Sequence, residues 1–280
     1  MHISYWKNIR QDRFGNLGLI VVIIIIALAI FAPLIARFRP STYTGVIFRS
    51  PSLKYILGTN DVGQDIWSRL LYGARTSLFV GFGVGIFSAF LSMLVGGTAA
   101  LFGGIYDQIA MRFVDAILVI PPIIIAVLVA TYLRPNMFVL ILLLSFIIWP
   151  GGARIIRAQT LSLKERQHIL ASKTFGANWI HLILKHVVPD LGPILIAILI
   201  TDIRRAIFME AGLSFLGISD PTMISWGTMI QHALQFSYLE VWKWWLLPAG
   251  FAISLTVVSF TFIGYAMETT LNPLLLKNNE

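Results

Sequence analysis

The sequence predicts an all-α polytopic membrane protein with six transmembrane helices, and three observations carry that reading. The 280 residues are 57% hydrophobic and only 12% charged, where a soluble domain has about 25% charged residues. Apolar runs of roughly 20 residues, enough for a helix to cross the bilayer, recur along the chain. Between two of them lies one long basic interruption, Ser162 to Pro189. The same composition sets aside other classes. The net charge of +8 is not a nucleic-acid signal, because the basic residues cluster in segments expected on the cytoplasmic side. With no cysteine there are no disulfides and no thiol chemistry. The histidines (His2, His168, His181, His186, His232) are scattered, His181 and His186 do not share a helical face, and no metal site is expected.

In chain order, residues 1–16 are polar and read as a cytoplasmic N-terminus. Residues 17–36 form the first span. Ala27-Leu28-Ala29 resembles a cleavage triplet, so a signal peptide competes, but the apolar run continues past it into Pro33 and a retained span is preferred. Residues 37–75 are expected to be an external connection, although Arg37, Arg39, Arg49, Lys54 and Arg69 outnumber its acids. Asp61, Asp65, Arg69 and Arg75 read as a local salt-bridge and capping network; direct substrate contact is the alternative. The second span, 77–104, holds Gly81, Gly83 and Gly85, then Ser88, Ser92, Gly96, Ala100 and Gly104 at intervals of four. In lipid such a small-residue stripe admits close approach of another backbone. The glycine run lies in an apolar helix, so it is no nucleotide fingerprint.

The third span, 112–132, should kink at Pro121-Pro122, and Asp115 should pair with Arg112 or bond a neighbouring helix. The fourth, 137–153, follows a tight turn at Arg134-Pro135-Asn136. The fifth, 188–213, carries Asp190, Asp202, Arg204, Arg205 and Glu210. Ionisable groups at this depth are costly, so they should pair within the bundle or face a watered path. Asp202 and Arg205 suit an i,i+3 pair; Arg205 and Glu210 would meet poorly; Arg204 lacks a local partner. A structural ion-pair cluster and the lining of a translocation path for polar or carboxylate-bearing cargo both remain open for Asp202, Arg204, Arg205 and Glu210. An external loop at 214–245 holds Trp226, Trp242, Trp244 and Trp245, an interfacial belt or part of a docking face. The sixth span, 246–268, and a cytoplasmic tail, 269–280, close the chain.

The basic interruption, residues 154–187, is the informative segment. Ser162 and Glu165 have capping-box spacing. The helix they open places Ile169 and Leu170 on one side, with Arg166, Gln167 and Lys173 elsewhere. Gly176 supplies a left-handed stop, Asn178 a cap for a second helix at 179–187, and Pro189 a limit to that helix. Six basic residues from Arg154 to Lys185 face Glu165 alone, which places the segment inside the cell. An amphipathic interfacial helix without a partner is the bland alternative.

At these residues the chain resembles the permease subunits of bacterial and archaeal ATP-binding-cassette importers. Their coupling loop reads roughly E-A-A-x-x-x-G, some nine variable residues, then I-x-L-P. Leu170-Ala171-Ser172 stands where E-A-A is expected, Gly176 matches, and Val188-Pro189 replaces L-P. The stretch LGTNDVGQDIWSRLLYGARTSL is similar to a signature of the dipeptide, oligopeptide and nickel permeases, second-subunit type, through Gly58, Thr59, Asp61, Gly63, Asp65, Ser68, Arg69, Tyr72, Gly73, Ala74 and Arg75, with Gln64 for the usual Arg. EAGLSFLGI from Glu210 and SWG from Ser225 continue the likeness.

The resemblance implies a type I importer (MetI-like) fold with a permease core at 76–272 and a cytoplasmic coupling helix. It implies a non-catalytic subunit forming half of a translocation pathway for peptides; nickel or metal–metallophore cargo is the alternative, and a stand-alone secondary transporter a lesser one. The implied partners are a second homologous permease, two ATPase subunits, an extracytoplasmic binding protein and the lipid bilayer. ATP and Mg2+ would be bound by the ATPases; the chain lacks a Walker A sequence. The coupling residues implied are Glu165, Arg166, Ile169, Leu170, Ala171, Ser172, Gly176, Ala177 and Asn178. The location implied is a prokaryotic inner membrane with both termini cytoplasmic.

Overall fold

The computed structural model describes residues 12–133, 135–174, 176 and 178–271. Asp12 starts α1 (Arg13–Ile30) by accepting from the amides of Phe14 and Gly15. After a short α2 (Ala32–Ile35) the chain enters the connection that ends at Asp65. Thr59 Oγ1 ties this connection together, donating to Val46 O at 2.7 Å and accepting from the Arg49 amide at 2.9 Å.

The second span begins earlier than expected. Asp65 accepts from the Ser68 amide at 2.8 Å, so α3 runs Ile66–Ser92 rather than from residue 77. A π-helical turn, Met93–Gly97, joins it to α4 (Thr98–Phe102), and Gly103 ends the helix at φ +65°. The expected salt-bridge network at this end is largely a capping and hydrogen-bond network. Arg69 donates to Gln64 Oε1 at 2.6 Å and to Pro40 O at 3.2 Å, and Arg75 lies over the Tyr72 ring. No ion pair involves these four charged residues among the described residues. Gln64, which stands where the resemblance puts an arginine, is one of the two acceptors of Arg69.

The third segment is broken rather than kinked. Helices α5 (Gly104–Val119) and α6 (Pro122–Leu133) meet at 83°. Pro121 and Pro122 together remove two donors and stop one helix before the next begins. Helix α7 (Met137–Leu163), capped by Asn136, passes the expected end at residue 153 and carries Pro150 inside it. Ser162 therefore lies in the last turn of α7, and the expected capping box with Glu165 does not form. The next helix, α8, is Gln167–Thr174.

Gly176 then takes φ +82°, the left-handed value expected of it, and Asn178 Oδ1 accepts from the His181 amide at 2.8 Å. Helix α9 (Trp179–Leu182) leads through a second π-turn, Ile183–Val187, directly into α10 (Val188–Phe215). Pro189 does not divide them, since it sits just after a turn already wider than α-helical. The expected external loop contains α11 (Trp226–Gln235), and α12 (Trp242–Leu271) completes the fold. Among the described residues five helices are long and apolar enough to cross a membrane, or six with α5–α6 taken as one bent span.

Close backbone approach organises the bundle. A Cβ on Gly18 of α1 would stand 2.6 Å from Ser259 O of α12, so the first helix lies directly on the last. A Cβ on Gly96 would stand 2.3 Å from Ala153 O of α7. Trp226 and Trp245 are buried in the core shared by α1, α3, α10, α11 and α12, which removes both from any interfacial belt.

Candidate functional site

Gly81 and Gly85 let α10 lie against α3, antiparallel, while Ser92 and Gly96 of the small-residue stripe meet α7. Cβ atoms on Gly81 and Gly85 would each come within 2.6 Å of side-chain carbons on Ile207 and Ile203. On this seam two buried carboxylates of α10 meet hydroxyls. Asp202 Oδ2 accepts from Ser88 Oγ at 2.7 Å. Glu210 Oε2 accepts from Ser77 Oγ at 3.0 Å, and its Oε1 from Ser214 Oγ at 2.7 Å. Glu210 is 0% exposed.

The four ionisable residues, for which an ion-pair cluster and a path lining were both open, are therefore divided. Glu210 is enclosed in the seam. Arg204 turns away and donates to Thr261 Oγ1 on α12 at 3.2 Å. Asp202 and Arg205 alone border a common cavity of about 510 Å³ between α7 and α10, with Gly151, Gln159 and Thr201 also in its wall. Arg205 Nη1 stands 3.8 Å from Asp202 Oδ1, and its side chain is 52% exposed. The i,i+3 pair is present but loose.

The basic segment 154–187 is fastened to the bundle by charge and by apolar contact. Arg157 makes a two-pronged pair with Asp107, Nε to Oδ1 at 2.5 Å and Nη2 to Oδ2 at 2.6 Å. Arg154 reaches Asp115 with Nε at 3.1 Å and Nη2 at 2.5 Å. Asp115 thus bonds the neighbouring helix rather than Arg112. Ile169 is buried with Leu163, Leu182, Val187 and Leu191, so it anchors α8 to its own chain rather than facing outward. Ser172 Oγ and His186 Nε2 are 2.9 Å apart, and His168 bonds Asp190 at 3.0 Å. Glu165, Arg166, Ala171, Gly176 and Asn178 are exposed. Ala177 and the side chain of Leu170 lie outside the described residues. The roles of Asp107, Asp190 and Gln64 in holding these segments escaped the sequence reading; only the basic excess around them hinted that carboxylates would be drawn in.

A family model described as the binding-protein-dependent transport system inner membrane component matches residues 81–277. The chain belongs to this family. A second model, the N-terminal TM domain of oligopeptide transport permease C, matches residues 4–51, so the likeness extends over the first helix, which the sequence reading matched in hydropathy alone. The chain is 35% identical over 283 residues to the oligopeptide transport system permease protein OppC of Bacillus subtilis, covering 98% of this chain and 92% of that one. A Brucella abortus protein carrying a peptide transport system permease name is 33% identical over 272 residues, covering 96% and 90%. A Brucella suis protein with a peptide permease name is 34% identical over 266 residues, covering 94% and 88%. This transport permease is all-helical and multi-pass, as the sequence predicted.

Proposed function

We propose that this permease forms half of an ATP-driven import pathway for di- and oligopeptides, with a second homologous permease as its other half. An extracytoplasmic binding protein delivers the cargo. Two ATPase subunits, which carry the ATP and Mg2+, dock on the segment around α8. The observation that carries this reading is the α8–elbow–α9 segment between two spans, with its outer residues exposed and Ile169 fixed inward. A lipid-surface helix has no use for a left-handed elbow tied at both sides by Asn178 and the Ser172–His186 contact. The peptide names of its relatives support the cargo class.

In this mechanism ATP binding draws the two ATPases together, and their closure displaces α8. The displacement reaches the bundle through Arg154–Asp115, Arg157–Asp107 and the uninterrupted run from α9 into α10. The subunit then exchanges inward-open for outward-open states as a population shift set by differential ATP affinity. Glu165, Arg166, Ala171, Gly176 and Asn178 form the exposed coupling face, and Ile169 holds it. The basic excess of residues 154–185 supports a cytoplasmic location for this face and, with six spans, for both termini, the chain lying in the inner membrane of a prokaryotic cell.

Reconstitution in proteoliposomes tests the reading. Uptake of a tripeptide should require the binding protein, the ATPases, the second permease and ATP. Uptake by the purified chain alone under an ion gradient would overturn it.

A further inference from the structure

We infer that Arg205 is a carboxylate-receiving group in the translocation path, holding the C-terminal carboxylate of a peptide in transit in the cavity between α7 and α10. The inference rests on the peptide reading above. The cavity, of about 510 Å³, lies within the range of small-molecule sites, roughly 300–1,000 Å³. Its wall combines Gln159, Thr201, Asp202 and Arg205 with apolar side chains.

A permanently charged guanidinium within a membrane span is costly, so it needs a counter-charge or water. Its counter-charge is only partly committed. Asp202 is 1% exposed and gives one oxygen to Ser88 at 2.7 Å. Its other oxygen stands 3.8 Å from Arg205, beyond hydrogen-bond length. No hydrogen bond of the Arg205 guanidinium is present among the described residues, and half of the side chain is exposed. The fork thus lies near a buried acid, yet its donors make no hydrogen bond among the described residues.

A guanidinium with free paired donors matches a carboxylate geometrically. Gly151 of α7 places no side chain against it, and a Cβ there would only touch Nη1, at 3.7 Å. Arg204, the adjacent cation, is engaged by Thr261 on α12 and does not share the cavity. Arg205 therefore favours cargo ending in a free carboxylate over the same cargo ending in an amide. The loose Asp202 pair lets the carboxylate leave when the bundle changes state.

The full importer, reconstituted with its binding protein and ATPases, is supplied with one tripeptide as the free acid and as the C-terminal amide. Each is presented as saturating, pre-loaded binding protein, which removes the binding protein's own preference. Arg205→Gln should slow uptake of the acid about tenfold, the loss that goes with one charge-assisted hydrogen bond, and leave the amide within twofold. Arg205→Lys should recover part of the acid uptake. Gln159→Glu, which keeps the guanidinium but adds an anion to the cavity wall, should also slow the acid selectively.

Equal slowing of acid and amide by Arg205→Gln, with co-purification of all subunits retained, overturns the inference and points to a contact with the second permease. Should Arg205→Gln fail to assemble, Gln159→Glu decides: selective slowing of the acid supports the inference and equal rates overturn it. A wild-type complex that imports neither peptide overturns the peptide reading itself, and this inference with it.

Discussion

Ser77 Oγ on α3 donates to Glu210 Oε2 on α10 across 3.0 Å, joining two residues 133 positions apart at a fully buried point. Together with Ser88–Asp202 further along the seam, it clasps α3 to α10 at two levels. Between the clasps lie Gly81 and Gly85, whose missing side chains make the approach possible.

Removing the acid should be worse than removing the hydroxyl. Glu210→Ala leaves Ser77 and Ser214 without their acceptor and empties a volume, a loss of about 2–4 kcal/mol. Ser77→Ala should cost about 1–2 kcal/mol, and Glu210→Gln less than Glu210→Ala, since it retains an acceptor. Unfolding in mixed micelles with increasing SDS measures all three. Equal stability of Glu210→Ala and the parent protein would contradict the clasp.

Glycines in the bundle should divide by what their missing Cβ would meet. Gly96→Ala places a methyl 2.3 Å from the Ala153 carbonyl, which belongs to the backbone and cannot rotate away. A loss of about 1–3 kcal/mol is expected. Gly250→Ala on α12 meets nothing within 4 Å and should be neutral or slightly stabilising. Thermal denaturation in detergent compares them directly.

Gly176→Pro should uncouple rather than unfold. Its φ of +82° lies outside the range open to proline, so the elbow between α8 and α9 must rearrange. Nothing packs within 4 Å of a Cβ there, so assembly should persist. Uptake should fall at least tenfold while ATP hydrolysis by the purified complex continues. Unchanged uptake would refute the coupling role of the segment.

His232 on α11 predicts a pH slope. Burial, and then the Arg69 charge, hold its imidazole below the ordinary histidine range, with Asp61 opposing. The unfolded chain therefore takes up a proton near pH ~6.5 that the folded chain refuses. The stability is present above that pH and is lost as pH falls through the unfolded value toward the lower folded one. His232→Gln should flatten the dependence of the melting temperature on pH between about 7.5 and about 5.5. An unchanged slope would assign the dependence elsewhere.

Local devices were legible in the residues. The left-handed Gly176, the Asn178 cap and the loose Asp202–Arg205 pair stand where the spacing put them, and the small-residue stripe does so from Ser88 to Gly96, its last member Gly104 lying past the break at Gly103. Partners distant in the chain were not. Asp115 takes the second of its two expected courses, a bond to a neighbouring helix, but that its partner is Arg154 could not be read, because a helix position decides its neighbours only along its own axis. Ser162 and Glu165 have capping-box spacing, but α7 continues to Leu163 and overrides it. Trp226 and Trp245 looked interfacial by composition, and it is the packing of α11 that encloses them.

The 83° corner at Ile120–Pro121 bears on how the chain enters the bilayer. Its two arms have 16 and 12 residues, roughly 24 Å and roughly 18 Å of helix, so neither alone spans some 30 Å of hydrocarbon. A translocon that releases helices singly would find no autonomous stop in either arm. The two arms cross the bilayer only together, and their acids Asp115 and Asp107 find their partners, Arg154 and Arg157, on α7, so stable insertion of this bent span is tied to the span that follows it.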